Sequence, residues 1–208
     1  MGNASRAIKD PENLIDIQEY LKCHNERDYI IFIIGLRTGY RMQDIVDLKI
    51  KDIKKALVEC RFVIEEKKKF RNYETRKNNK AEGYSGEAKP RIVNFKRREV
   101  FYKVLEKYIA GKPSYDYAFK SQKGEYIKVD SYAKILKKAG EHFKIYNLGA
   151  HTPRKTFAYN LYNNTGKNLT LVQLALGHSS PKTTIRYIGV EEDIIDECSE
   201  ELDDLICV

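Results

Sequence analysis

The sequence predicts a mainly α-helical protein with one small β-hairpin, an α+β fold, and three observations support this. Apolar residues recur every three or four positions in several segments, which is the period of an amphipathic helix. Residues 29–36 are apolar on every side, as in a helix buried in the middle of a domain. Runs rich in Val, Ile and Phe, typical of strands, occur at residues 56–65 and 90–95.

The helices are delimited by recognisable caps and breakers. Asp10 followed by Pro11 is typical of an N-cap and a first helical position, and Gly39 ends the buried helix. Asp130 or Ser131 is expected to cap a later helix. The predicted helices cover, approximately, residues 11–22, 29–36, 42–48, 99–109, 130–146, 153–165 and 169–177. Arg41 then lies at a helix–helix junction, where its side chain can be aimed from a buried base.

The two predicted strands are expected to pair as a hairpin, and the strongest charge run of the chain lies between and around them. Residues 67–98 contain twelve Lys or Arg against three acids. A basic arm that becomes ordered on DNA is one interpretation, and a solvated surface loop is the other. A short extended piece is expected at residues 117–119.

The end of the chain differs in charge from the rest. Residues 190–208 hold nine acids and no base, and their apolar residues recur at three- and four-residue steps, which predicts an acidic amphipathic helix. We therefore divide the chain into a domain over residues 1–189 and a tail over residues 190–208. The tail packs either on its own domain or on a neighbouring protomer.

The charge balance indicates a polyanionic partner. The net charge of the whole chain is +8, but over residues 1–189 the 38 basic residues face 21 acids, a balance of +17. Double-stranded DNA is the first candidate for such a partner. No apolar run approaches the roughly 20 residues that span a bilayer, the N-terminus lacks the apolar stretch of a secretory signal, and the four cysteines show no paired spacing. We expect a cytoplasmic protein with free thiols.

Five side chains form a set that could hold a phosphate and attack it without a metal or a cofactor. Arg41 and Arg154 each offer a planar fork of donors that suits phosphate oxygens. His151 and His178 offer imidazoles, and His178 follows a glycine at a predicted helix end, where it can reach into a cleft. Tyr187 is the candidate nucleophile, because arginines and a histidine nearby would favour its phenolate and accept its proton.

These residues stand in an order that resembles the signature of the tyrosine recombinases, the phage-integrase family of DNA strand-exchange enzymes. The resemblance spans about residues 30–190, and Asp44 matches the acidic residue that supports the first arginine of the family. The matching stretches are Thr38-Gly39-Tyr40-Arg41, His151-Thr152-Pro153-Arg154, Leu176-Gly177-His178-Ser179-Ser180 and Tyr187, nine residues after His178. The resemblance implies the tyrosine-recombinase catalytic-domain fold, a 3′-phosphotyrosyl intermediate and four protomers assembled on DNA.

The resemblance also implies a catalytic lysine on the hairpin. Lys68 is our choice, since residues 64–69 resemble the usual approach to that lysine. Other lysines of the long hairpin stay open as alternatives, namely Lys67, Lys69, Lys77, Lys80 and Lys89. Members of the family usually carry a further N-terminal helical domain, so this sequence is either an excised catalytic domain or a short recombinase.

Two other functions are compatible with the sequence. A type IB topoisomerase uses a similar pocket to relax supercoils as a monomer, but the Gly177-His178-Ser179-Ser180 box and the tail favour a recombinase. A DNA-binding protein with a vestigial pocket is the other, and the complete set of five side chains argues against it.

Overall fold

The computed structural model describes residues 5–65, 90–178 and 180–190. Within these ranges the elements follow the chain as α1 Pro11–His24, α2 Glu26–Thr38, α3 Met42–Ile45, α4 Ile50–Glu59, β1 Arg61–Ile64, β2 Arg91–Asn94, α5 Val100–Ile109, α6 Val129–His142, α7 Thr152–Asn164, α8 Leu169–Leu176 and α9 Pro181–Ile188. The predicted α+β class, mainly helical with one small antiparallel sheet, is confirmed.

The first of the two predicted N-caps is confirmed, and the buried helix ends at the predicted glycine. The Asp10 carboxylate accepts hydrogen bonds from the backbone N–H groups of Glu12 and Asn13, which satisfies two orphan donors of α1. Helix α2 is buried along most of its length, as its all-apolar sequence predicts. It ends at Gly39, whose φ of +59° is the left-handed conformation that terminates many helices.

The strand predicted over residues 56–65 is wrong in its first half. Residues 56–59 end helix α4, and only Arg61–Ile64 are extended. The reason is tertiary burial: Ile50, Ile53 and Leu57 lie on one buried face at helical spacing, and burial of that face outweighs the strand preference of the residues that follow. The second strand is confirmed at Arg91–Asn94, and it pairs antiparallel with β1 as the hairpin prediction requires.

Helix α6 was predicted from Asp130 or Ser131 to about Tyr146, and it is observed to be shifted and shorter. It begins after Lys128 and ends at His142. Gly140 explains the early end, because the Ile145 N–H turns back to its carbonyl at 2.7 Å and Lys144 adopts a positive φ of 59°. Of the extended piece predicted at residues 117–119, only an isolated bridge between Tyr117 and Lys49 is observed, and residues 118–119 form a turn.

Two hydrophobic clusters organise the described chain. The larger, here called the main core, is formed by residues from α1 to α6 and the two strands. The smaller, here called the second cluster, consists of Ala158, Tyr162, Val172, Leu176, Ile188 and Val190. Helix α7 joins the two regions, since it packs on α2 and also on α8 and α9. No helix of the described residues is long and apolar enough to span a membrane.

Candidate active site

The candidate site lies where helix α7 meets the loop between α2 and α3. Helices α2 and α7 approach each other closely there: a Cβ atom on Gly35 of α2 would come within 2.6 Å of the Pro153 side chain of α7. Pro153 lies in the first turn of α7, where its missing N–H is not needed. This close packing brings Arg154, the next residue of α7, against the end of α2.

Arg154 is buried, with 2% of its surface exposed. One terminal nitrogen donates to the Gly39 carbonyl at 2.5 Å and the other donates to the Leu176 carbonyl at 2.8 Å. A buried guanidinium is tolerated because such bonds replace the water it has lost. The same two bonds connect the end of α2 to the end of α8, so Arg154 fixes the two sides of the site relative to each other.

Arg41 approaches the site from the main core. It is the N-cap residue of α3 and has extended backbone angles, and its carbonyl accepts the N–H of Asp44 at 2.8 Å. The prediction that Arg41 lies at a helix–helix junction is confirmed, because it separates α2 from α3. Asp44 is buried at 4% exposure in the same short helix.

His178 follows the left-handed residue Gly177 that ends α8. Gln173 holds it on both sides, since the His178 N–H donates to the Gln173 carbonyl and the Gln173 amide donates back to the His178 carbonyl. The ring Nδ1 lies 3.2 Å from the hydroxyl of Thr184. That hydroxyl also lies 3.3 Å from the Ser180 carbonyl. When it donates to that carbonyl it accepts from Nδ1, and a neutral ring then carries its lone pair on Nε2, the arrangement of a proton acceptor.

Tyr187 projects from α9, and its hydroxyl is buried. Its ring meets the His178 ring edge to face, with centroids 5.0 Å apart. The Lys155 ammonium lies over the ring at 5.0 Å from its centroid. Arg154 is close enough to act on the hydroxyl electrostatically, although the two groups do not meet the geometry of a regular hydrogen bond.

Burial raises the pKa of the Tyr187 phenol above 10, and the nearby positive charges of Arg154, Arg41 and Arg91 act in the opposite direction without cancelling the effect. The sequence suggested that the arginines would favour the phenolate, so the balance in this structure is the reverse. A phenol that stays neutral needs a base during attack. His178, whose ring contacts Tyr187, is placed for that role.

Two sets of predicted residues remain, His151 and the hairpin lysines. His151 is the exposed N-cap residue of α7, three positions before the buried Arg154. Its carbonyl accepts the Lys155 N–H at 2.9 Å, so the turn on which the shared-face prediction depends does form. Lys68 and its alternatives Lys67, Lys69, Lys77, Lys80 and Lys89 lie outside the described residues, as does the tail beyond Val190.

Sequence reasoning missed three features of the site. Helix α9, which carries Tyr187, was not predicted. Pro181 after Ser180 and Gly189 at its end are nevertheless the usual signals for the start and the end of a helix. Lys155 was not singled out; burial lowers the pKa of its ammonium group, which lies over the Tyr187 ring. Arg91, on β2, acts electrostatically on Tyr187, and nothing in its local sequence distinguishes it from its basic neighbours.

Comparison with known proteins identifies the family of the chain. Residues 8–193 match the model of the phage integrase family. A probable integrase/recombinase, YoeC of Bacillus subtilis (strain 168), is 30% identical over 188 residues, which cover 89% of this chain and 90% of that protein. The tyrosine recombinase XerS of Streptococcus equi subsp. zooepidemicus (strain MGCS10565) is 29% identical over 177 residues, or 82% of this chain and 44% of that one.

Solved structures show the same fold. The XerA recombinase superposes with a TM-score of 0.65 at 20% identity, over 97% of this chain and 66% of that one. The XerH site-specific recombinase, bound to its palindromic difH substrate in a post-cleavage complex, gives 0.63 at 21% identity, over 97% of this chain and 54% of that one. The chain has the tyrosine-recombinase catalytic-domain fold and belongs to the phage integrase family of tyrosine recombinases.

Proposed function

We propose that this protein is a site-specific recombinase that cleaves and rejoins double-stranded DNA through a 3′-phosphotyrosyl intermediate on Tyr187. The observation that carries the proposal is the grouping of a buried tyrosine hydroxyl with Arg154, Arg41 and His178. Three positive guanidinium groups, counting Arg91, act on one buried phenol. Such a site suits a phosphodiester, whose negative charge they would neutralise.

In the proposed cleavage step the Tyr187 oxygen attacks a phosphodiester phosphorus, and the bond from phosphorus to the 5′ oxygen breaks. The phenolic proton passes to His178 Nε2, and a lysine of the hairpin, Lys68 in our assignment, gives a proton to the leaving 5′ oxygen. Arg41, Arg154 and His151 hold the phosphate. The covalent link retains the bond energy, so the reverse attack by a 5′-hydroxyl rejoins DNA without ATP. We expect neither a metal nor a cofactor to take part.

The partner and the assembly are parts of the same proposal. The charge of +17 over residues 1–189 favours duplex DNA. The XerH relative was solved on its difH substrate, and a Tn1549 transposon integrase was solved with circular intermediate DNA. We place the reaction in the cytoplasm and expect four protomers on two DNA sites, with residues 190–208 exchanged between neighbours. Val190 is buried in the second cluster, so a truncation that tests the exchange should keep it.

A nicked suicide duplex carrying the end sequence of the host element tests the chemistry directly. Cleavage next to the nick releases a short fragment, so the covalent adduct accumulates and is counted on a denaturing gel. We expect an adduct that also forms in EDTA. A DNA-binding protein with a vestigial pocket would give none, and an absolute magnesium requirement for cleavage would overturn the mechanism. Relaxation of supercoils without recombination between two sites would indicate a topoisomerase instead.

Two assays test the partner and the assembly. Affinity for duplex DNA should fall steeply as salt rises, because each phosphate contact releases counterions. A nearly flat dependence would contradict the proposed DNA surface. Truncation after Val190 should leave DNA binding intact but abolish the synaptic complex in sedimentation. Full two-site recombination by the truncated protein would show that the tail has no role in exchange.

A further inference from the structure

The Gly39 carbonyl is shared by two arginines that are far apart in sequence. Arg154 of α7 donates to it at 2.5 Å, and Arg91 of β2 donates to it at 2.9 Å. The second terminal nitrogen of Arg91 donates to the Thr38 carbonyl at 2.8 Å. A carbonyl oxygen has two lone pairs and can accept both bonds. One backbone atom therefore joins the hairpin, the end of α2 and the candidate site.

This carbonyl has a fixed direction. Gly39 adopts a positive φ, and the space where a Cβ would lie is filled by the Phe157 ring, so no larger residue fits without a shift. The Arg91 guanidinium lies 5.2 Å from the centroid of the Tyr40 ring and 5.9 Å from that of Phe157. Two aromatic faces thus limit where the guanidinium can lie, in addition to its hydrogen bonds.

The loop between α2 and α3 also holds the hairpin, through the side chain of Tyr40. The hydroxyl of Tyr40, a residue that is 1% exposed, lies 2.8 Å from the Arg91 carbonyl and 3.2 Å from the Phe62 carbonyl, so its one proton is shared between them with Arg91 as the nearer acceptor. These two carbonyls belong to β2 and β1. Here we call the reciprocal bonds the Arg91–Tyr40 clamp: the Arg91 side chain holds the backbone before Tyr40, and the Tyr40 side chain holds the backbone at Arg91.

Arg41 follows Tyr40 directly, so its backbone starts from a residue that the clamp holds. Arg154 depends on the clamp as well, because its acceptor on Gly39 is the one that Arg91 also binds. Displacement of a phosphate-holding group by about 1 Å can cost on the order of a hundredfold in rate. The clamp is therefore well situated to control both arginines of the site at once.

We propose that Arg91 is a positioning residue that sets the placement of Arg41 and Arg154 through its forked hydrogen bonds to Thr38 and Gly39. The inference rests on the proposed DNA cleavage, because it assigns the two arginines to the phosphate. Both terminal nitrogens of Arg91 donate to backbone carbonyls at the end of α2, so its proposed action on the reaction is through the placement of the other two arginines.

Arg91→Lys is the decisive variant, since it keeps the charge and loses the planar fork. We expect adduct formation on the suicide substrate to slow by about tenfold or more, with affinity for duplex DNA within about threefold of the wild-type value. Tyr40→Phe should slow cleavage in the same way, and the double variant should be no slower than the worse single one, because both remove one unit. Arg61→Lys, on the neighbouring strand and paired with exposed Glu59, is the matched control and should cleave normally.

A pH profile separates positioning from charge. Arg91→Lys should keep the shape of the wild-type pH profile of cleavage, since the positive charge near Tyr187 remains, and only its height should fall. Cleavage by Arg91→Lys at the wild-type rate would overturn the inference, and so would a loss that is fully matched by weaker DNA binding. If Arg91→Lys does not fold, Tyr40→Phe tests the clamp from its other side. A wild-type chain that forms no adduct would contradict the proposed function before the clamp is tested.

Discussion

The main core and the second cluster differ in size and in what they contribute to the site. The main core extends from α1 to α6, and it provides Arg41 and, through the hairpin, Arg91. The second cluster is built from a few residues of α7, α8 and α9, and it carries the helices of Arg154, His178 and Tyr187. The larger region thus carries Arg41 and the residue proposed to align it, and the smaller region carries Arg154 together with the proposed nucleophile and its proposed base.

The difference matters because a small cluster buries less apolar surface and opens more readily. Two described features join it to the main core: the close contact between Gly35 and Pro153, and the Arg154 guanidinium that bridges the Gly39 and Leu176 carbonyls. The N-terminal segment adds a third connection, since the Ile8 N–H donates to the Thr156 hydroxyl. We therefore expect the position of the nucleophile to be more sensitive to mutation than that of the phosphate-holding arginine of the main core.

The largest expected effect is that of Tyr187→Phe, which removes the nucleophilic oxygen and keeps the ring packed against His178. Covalent adduct on the suicide substrate should fall below detection, while affinity for duplex DNA stays within about twofold. Tyr146→Phe is the matched control, because that side chain is exposed at 62% and is not part of the second cluster. A persistent adduct in Tyr187→Phe would assign the nucleophile to another tyrosine.

Arg154→Ala and Arg41→Ala should each slow cleavage by at least about a hundredfold, as expected for loss of a preorganised donor. They should differ in stability. Removing Arg154 takes this donor from the Leu176 carbonyl and leaves the Gly39 carbonyl with Arg91 alone. A buried polar group that loses its partner costs about 1–3 kcal/mol in the free energy of unfolding. Arg41 is only half-buried, so its loss should cost less. Denaturant unfolding of both variants checks this; equal losses would show that Arg154 does not connect the two regions.

The pH dependence of the cleavage rate should distinguish the proposed roles of Tyr187 and His178. Because burial raises the pKa of Tyr187 above 10, the phenol is neutral through the physiological range. In His178→Asn the proposed base is removed, so the cleavage rate should follow the phenolate fraction and rise about tenfold per pH unit from pH 6 to 9. The wild-type rate should change less steeply above neutral pH. Parallel profiles for the two proteins would exclude His178 as the proton acceptor.

The smallest expected effect is the difference between two variants, each of which shortens one buried leucine in one of the two regions. Leu176→Ala in the second cluster and Leu105→Ala in the main core should each reduce the free energy of unfolding by about 2–5 kcal/mol. Both side chains are fully buried. At a temperature where both variants are folded, we expect Leu176→Ala to slow cleavage by about tenfold and Leu105→Ala by less than threefold. Equal effects on cleavage would contradict the difference drawn between the two regions.

The sequence alone was enough for features with local causes. Asp10 with Pro11, Gly39 and Gly177 mark helix ends that are observed, because caps and left-handed glycines act within a few residues. The approximate helical spans of α7 and α8 were predicted, and the grouping of Arg41, Arg154, His178 and Tyr187 followed from motif order rather than from any local pattern.

Tertiary structure decided what depends on burial and on contacts distant in sequence. Residues 56–59 became helical because the face of Ile53 and Leu57 packs on the main core, against the strand preference of the run. Burial raises the pKa of the Tyr187 phenol despite the positive charges of three arginines, and sequence spacing carries no measure of that burial. Arg91 belongs to the site because its guanidinium meets Gly39, 52 positions away. A contact across such a distance exists only once the chain has folded, so the sequence specified the chemical groups and the fold decided their protonation and alignment.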